Sequence, residues 1–332
     1  MTSPGTSIPS PVADLLASVS DDLDRVDAWI VEQLSNGPEA LRPLVDYVAR
    51  FRGKRLRGAQ VLLLARACGD LRPEHLEVAG ILEMIHSATL VHDDLLDEAT
   101  ERRQLDCLHV AWGPHTAVLL GDWIYAQAFA ASTRMQDQAC SKVLSLATSN
   151  VCAGEMFQNL TRGQFELSET DYFAQIDGKT AALFEAGGRL AAHYAAAPAD
   201  LCDAAANYGL LAGRAFQIVD DILDLEGEES KVGKSLGTDW QRGKMTLPLI
   251  RMRECLVPEL QMRMEELFRA GTDRSVLQEA PFADALKEGL DSTRALVDQL
   301  LRTCTDLLQQ FPNQEVAGEL AELTLFLGSR NR

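Results

Sequence analysis

Apolar positions recur every three or four residues through most of the chain, the spacing of helices that bury one face or more. Segments 15–34, 61–69, 75–99, 117–135, 142–164, 170–195 and 200–227 all carry it. From about residue 239 shorter amphipathic stretches follow. Period-two alternation is scarce, so no segment is assigned to a strand. Turn formers fall between the periodic runs: GDLRP at 69–73, WGP at 112–114, AAAP at 195–198 and EGEESKVGKSLG at 226–237. The pattern predicts an all-α chain whose long central helices are apolar on several sides. Residues 1–10, rich in Pro, Ser, Thr and Gly, are expected to be disordered. No linker divides the remainder, so residues 11–332 are expected to form one domain.

Composition narrows the function. The 332 residues are 46% hydrophobic, ample for a sizeable core. Lys and Arg number 31 against 49 Asp and Glu, a formal net charge of -18. Nucleic acid is excluded as a partner on that balance, because phosphate backbones demand a basic surface. Seven cysteines are scattered without a CxxC pair. They read as reduced thiols of a cytoplasmic protein rather than a disulfide framework. The start, MTSPGTSIPSPVADLL, has neither a basic nor an apolar region of a secretory signal. No run of 18 apolar residues exists, so no membrane span is expected.

Two acidic segments stand out, Asp93-Asp94-Leu95-Leu96-Asp97 and Asp220-Asp221-Ile222-Leu223-Asp224. Each lies late in a long apolar run. The first and last Asp of each share one helix face, and the middle one is turned by about 100°. Carboxylates one turn apart repel by a few tenths of a kcal/mol, which a cation would offset. Hard divalent ions prefer oxygen ligands, and Mg²⁺ commonly bridges a few carboxylates to substrate phosphates. A solvated acidic helix end would explain one such segment less demandingly, but two with the same spacing are harder to dismiss. A ferritin-like carboxylate site would need a repeated Glu-x-x-His; Glu83-Met84-Ile85-His86 occurs once.

A site for phosphate also needs fixed positive charge. GKRLRG at 53–58 supplies Lys54, Arg55 and Arg57 at a predicted helix start, where backbone N–H groups favour anions. Arg102 and Arg103 follow the first acidic segment, Lys179-Thr180 lies in DGKTAALF, and Lys234 and Lys244 follow the second. His86 lies two turns before Asp93. Singly, each of these fits a solvated surface or a satisfied core position.

Taken in order, GKRLR, EMIHSATLVHDDLLD, the Arg pair, VLLGDWIYA, GEMFQ, KTAALF, FQIVDDILD and GKSLGTDWQRGKMTLP resemble the trans-isoprenyl diphosphate synthases, or polyprenyl synthetases. The resemblance runs from residue 53 to the SRNR end. It implies an all-α, single-domain helical bundle of the isoprenoid synthase type around a deep central cavity, usually a homodimer. It also implies Mg²⁺-dependent, head-to-tail condensation of an allylic diphosphate with isopentenyl diphosphate. Matched by position, Lys54, Arg57, His86 and Arg103 would hold isopentenyl diphosphate. Arg102, Lys179, Thr180, Gln217, Lys234 and Lys244 would hold the allylic diphosphate. Asp93, Asp97 and Asp220 would ligate Mg²⁺, with Asp94 and Asp224 in support. Asp93, Asp97, Asp220 and Lys179 would carry the catalysis. No protein nucleophile is required, and the released diphosphate would accept the proton.

The family's usual RRGxPT is departed from: Gln104, Asp106, Cys107 and His109 stand where Gly, Pro, Thr and Asn are expected. Product length is read from Ala88 and Thr89, one turn before Asp93, where shorter-chain members often carry aromatics. Tyr125 and Phe129 would form a floor further down. The expectation is an all-trans product longer than C15, with a C20 geranylgeranyl product as the rival; Ala88 and Thr89 as mere close-packing residues is the plainer alternative. A non-catalytic partner subunit would not need intact acidic segments, and GKRLRG with GKMTLP disfavours a cyclase or head-to-head enzyme.

Overall fold

Residues 11–49, 55–102, 105–227 and 236–329 are described by the computed structural model, and helices dominate them. They cluster into two compact units. One comprises the chain to Val143 with Gly187–Ala205 and Leu308–Leu323; the other comprises Leu144–Ala186, Ala206–Leu307 and the chain from Thr324.

The first unit begins with α1 (Pro11–Leu15), α2 (Ser20–Ser35) and α3 (Arg42–Val48). Then come α4 (Leu56–Cys68) and α5 (Pro73–Leu96). The run Val61-Leu62-Leu63-Leu64 is 0% exposed, as an apolar run without a polar face requires. Each such leucine contributes about 1.5–3 kcal/mol by leaving water. α5 starts with Pro73 in its first turn, where the missing N–H costs nothing. The Arg72 N–H donates to His75 Nδ1 at 2.8 Å. His75 is 0% exposed, and its Nε2 lies 3.0 Å from the Ala191 carbonyl. The partners fix the ring as the neutral Nε2–H tautomer. α5 packs against α2 and α4, and against α7 (Pro114–Arg134). Gly121 allows the last contact: a Cβ there would stand 2.2 Å from His92 Nε2.

The predicted helix 75–99 stops early. Asp97 is its C-cap and Glu98 has φ +50°, left-handed backbone that no helix continues through. The chain then forms a hairpin the periodicity did not reveal, β1 (Glu101–Arg102) antiparallel to β2 (Leu105–Asp106), before α6 (Leu108–Trp112). Two residues per strand are too few to show an alternation.

The remaining helices are α8 (Ala139–Leu160), α9 (Glu169–Ile176), α10 (Ala182–Tyr194), α11 (Ala199–Glu226) and α12 (Thr238–Gln241). After them come α13 (Leu247–Cys255), α14 (Pro258–Arg269), α15 (Ala283–Leu308) and α16 (Gln314–Ser329). The second unit's core joins Ile218, Val219 and Ile222 of α11 to Trp240, Leu247 and Phe268. The predicted helix 170–195 is interrupted: Asp177–Ala181 between α9 and α10 is π-helical. Such wide turns collect at functional sites. Here Arg214 grips Asp177 through Nε and Nη2, both at 2.6 Å. Gly154 of α8 and Gly178 meet backbone to backbone; a Cβ on Gly154 would lie 2.5 Å from Lys179 N.

All seven cysteines are free thiols. Among the described residues no helix is long and apolar enough to cross a membrane.

Candidate active site

Lys54, Arg103 and Lys234 lie outside the described residues, as do Gln104 and residues 1–10. The other predicted site residues fall into two groups, one in each unit.

In the first unit the acidic segment forms the C-terminal turn of α5, with Asp97 N–H donating to Asp93 O at 2.8 Å. The negative end of a helix dipole is the costly end for carboxylates, so placing them there calls for a cation. The three do not face alike. Asp93 and Asp97 are half-exposed, whereas Asp94 is 5% exposed. Asp94 receives Arg102 from β1: Nε donates to Oδ1 and Oδ2 at 2.8 and 2.9 Å, and Nη2 to Oδ1 at 2.6 Å. Burial works against the guanidinium charge, but the bonds and charge of Asp94 outweigh it and leave the Arg102 pKa raised. One of the paired arginines thus serves the buried carboxylate first.

The GKRLRG residues divide as well. Arg55, in left-handed backbone at φ +53°, pairs with Asp24 at 3.1 Å and Asp27 at 2.9 Å of α2. Arg57 is 9% exposed. Burial lowers its pKa to about 10, opposed by the charge of Glu83. Glu83 accepts the Gly58 N–H at 2.9 Å and so ties the start of α4 to α5. Burial pushes the Glu83 carboxyl up, and that bond with Arg57 pulls it back. His86 is half-buried on α5.

The predicted tail-path residues lie on two helices that pack together. Ala88 is 0% exposed. Thr89 is half-buried, its hydroxyl donating to His86 O at 2.8 Å. The Tyr125 ring stacks on His92, centroids 6.2 Å apart at 26°. Phe129 is half-buried one turn further along α7.

In the second unit Asp220 is half-exposed, while Asp221 and Asp224 are 4% and 3% exposed. Asp221 takes the Tyr172 hydroxyl at 2.6 Å and Gln217 Nε2 at 2.9 Å. Gln217 Oε1 in turn accepts from Thr180 at 2.7 Å. Burial, then the charge of Asp239, pushes the Asp221 carboxyl up to about 8, against those two hydrogen bonds. Asp224 accepts the N–H groups of Thr238 at 3.2 Å and Asp239 at 3.1 Å. It thereby anchors the start of α12, ahead of Lys244, whose Nζ lies 3.4 Å from Asp239. Lys179 meets Glu155 at 2.6 Å and Gln158 at 3.0 Å across the Gly154–Gly178 contact.

Sequence reading left Asp221, Tyr172, Asp239 and Glu155 without roles. Asp221 was legible as the turned middle carboxylate one helical turn after Gln217. Tyr172 carries no local signal, being 49 residues from its partner.

Among the described residues no three His, Cys, Asp or Glu side chains converge into a cage for a metal ion. Within each unit the half-exposed carboxylates, Asp93 and Asp97 on one turn of α5 in the first and Asp220 on α11 in the second, instead suit a cation that arrives with other oxygens. Mg²⁺ is held that way, by one or two carboxylates, water and phosphate.

The polyprenyl synthetase family profile matches residues 38–281. Octaprenyl diphosphate synthase of Escherichia coli is 32% identical over 296 residues, covering 89% of this chain and 91% of that one. Heptaprenyl diphosphate synthase component 2 of Geobacillus stearothermophilus is 33% identical over 325 residues, covering 96% and 97%. The crystal structure of a Caulobacter crescentus polyprenyl synthase, complexed with calcium and isoprenyl diphosphate, superposes with a TM-score of 0.86 at 29% identity, covering 98% of this chain and 100% of that chain. With its helical architecture, ordered motifs and family match in agreement, the chain belongs to the polyprenyl synthetase family.

Proposed function

We propose that this protein is a trans-polyprenyl diphosphate synthase that extends an allylic diphosphate with isopentenyl diphosphate to an all-trans product longer than C15. One observation carries the reading. Each acidic segment keeps its first carboxylate half-exposed, Asp93 and Asp220, and its middle one buried in hydrogen bonds, Asp94 and Asp221; the last differs, Asp97 being half-exposed and Asp224 buried. A solvated acidic helix end has no use for that division. Asp93, Asp97 and Asp220 would hold Mg²⁺, Asp94 and Asp224 supporting them from behind. The ion, when bound, supplies neutralisation of diphosphate charge.

The chain's own residues do the rest. Lys54, Arg57, His86 and Arg103 bind isopentenyl diphosphate. Arg102, Lys179, Thr180, Gln217, Lys234 and Lys244 bind the allylic diphosphate. The Thr180–Gln217–Asp221–Tyr172 chain of hydrogen bonds holds Gln217 in one orientation, the preorganisation that electrostatic stabilisation of a leaving diphosphate requires. The allylic carbon–oxygen bond breaks with its electrons going to the diphosphate. The alkene of the second substrate attacks, and the diphosphate takes the proton. Ala88 and Thr89 leave the tail path free of aromatics, and Tyr125 and Phe129 bound it.

A homodimer fits exposed apolar side chains on two helices, Val118 and Leu119 on α7 and Leu146, Met156 and Leu160 on α8. The likeness to a protein named component 2 favours one second reading, a subunit that needs another chain. Purified protein incubated with Mg²⁺, labelled isopentenyl diphosphate and primers of increasing length tests both. Unaided long-chain product supports the synthase, a C20 product corrects the length, and no incorporation sinks the reading.

A further inference from the structure

The π-helical turn Asp177–Ala181 carries two proposed diphosphate ligands, Lys179 and Thr180. Turns of this kind are rare inside helices, so something must hold this one. Gly178 presses it on α8, where a Cβ would stand 2.6 Å from Asn150 O. Thr180 donates to Gln217 Oε1 of α11 at 2.7 Å. One turn earlier on α11, Arg214 takes Asp177, its Nε and Nη2 donating to the two carboxylate oxygens at 2.6 Å each. The same guanidinium lies over the Phe173 ring of α9, 5.4 Å from its centroid. Arg214 therefore bonds on both sides of the point where α9 gives way to the π-helical turn. Its side chain is 27% exposed and that of Asp177 31%. An exposed ion pair with a single contact adds little, but a two-pronged grip with a ring beneath it fixes orientation as well as distance. No step of the proposed reaction uses Arg214.

We infer that Arg214 is a positioning residue, its forked grip on Asp177 holding the π-helical turn in register so that Lys179 and Thr180 are presented together to the allylic diphosphate. Lys179 lies between two residues tied to α11, Asp177 before it and Thr180 after it. If the turn gave up its extra residue, the chain beyond would swing by about 100° relative to α9. With Asp177 held by Arg214 and Thr180 by Gln217, that slip breaks one pair or the other. The contact with α8 sets how close the turn approaches, and the two ties to α11 set how it is rotated. Lys179 is thereby kept facing α8, its Nζ 2.6 Å from Glu155 and 3.0 Å from Gln158. The inference rests on the proposed function, which makes Lys179 and Thr180 diphosphate ligands.

Arg214→Ala, Arg214→Lys, Asp177→Asn and the double variant Arg214→Ala/Asp177→Asn are compared with the parent protein. Three measurements are made: the KM for each substrate, the affinity for inorganic pyrophosphate with Mg²⁺, and amide hydrogen exchange over residues 177–181. The second needs no turnover and the third needs no ligand. In Arg214→Ala and Asp177→Asn, exchange over the turn should quicken about tenfold, the loss of a charge-assisted pair partly screened by water. The KM for the allylic diphosphate should rise, and pyrophosphate should weaken, about three- to tenfold, with the KM for isopentenyl diphosphate within about twofold of the parent's. Lys keeps the charge without the fork and should restore only part. The double variant should match the worse single one, because both residues act through one contact. Unchanged exchange and pyrophosphate affinity in the two single variants overturn the inference. So does a loss that adds in the double variant, which gives Arg214 a role apart from Asp177, or a rise in KM shared equally by both substrates, the mark of general loosening. If the parent protein condenses no substrate, the proposed function fails, while exchange and pyrophosphate affinity still decide the role of Arg214.

Discussion

His75 offers a stability test with a definite sign. Burial lowers its pKa, the Ala191 carbonyl only partly opposing this, and the ring is 0% exposed. Protonation would set a second N–H, at Nδ1, against the Arg72 N–H that now donates to it. The folded protein therefore resists a proton that the unfolded chain accepts near pH 6.5. Above that pH neither state binds it and His75 adds no pH dependence. Below it the unfolded state binds more protons, so stability falls as pH falls. One unit below the unfolded pKa the loss has a ceiling of about 1.4 kcal/mol, reached when the folded ring binds no proton at all. With an unfolding entropy of about 2 cal/mol/K per residue, that ceiling is a fall of about 2 °C in a cooperative melt. Melting midpoints are measured from pH 7.5 to 5.5 on the parent and on His75→Asn, whose side-chain oxygen can still accept the Arg72 N–H. The variant should lose that part of the acid sensitivity while other titrating groups cancel in the comparison. Parallel pH curves for the two proteins would show that His75 does not resist protonation, and the reasoning would fail.

Asp93→Ala should abolish turnover while circular dichroism stays helical, because the side chain is half-exposed and carries no core packing. Tyr172→Phe removes one buried hydroxyl and should cost about 1–3 kcal/mol in denaturant unfolding, with a raised KM for the allylic substrate as Gln217 loses its anchor. Thr89→Phe should shorten the product by at least one isoprene unit, a helical turn being about 5.4 Å; chromatography after dephosphorylation reads it, and an unchanged product would remove Thr89 from the tail path.

The sequence revealed what repeats locally. α5 and α11 were legible because their apolar positions recur, and the turned Asp94 and Asp221 were legible from helical geometry alone. What escaped depends on distance or on a single residue. The Tyr172–Asp221 bond spans 49 positions and the His75–Ala191 contact 116, and no pattern of neighbours encodes either. The hairpin after α5 is too short for periodicity. The π-helical turn at Asp177–Ala181 leaves apolar spacing nearly intact while changing which way Lys179 points. Arg102 was expected at the diphosphate, and nothing in its neighbourhood announced that Asp94 would claim two of its nitrogens.

The meeting of Gly154 with Gly178 has a mechanical consequence. Where helices touch through side chains, rotamer changes absorb small displacements. Here main chain bears on main chain, so nothing soft lies between the Lys179 backbone and that of α8. A single methyl group at the junction would have to wedge the segments apart by about 1 Å, and errors of that size can slow an enzyme about a hundredfold. The charge is therefore aimed by two hydrogen atoms, residues whose whole contribution is to take up no room.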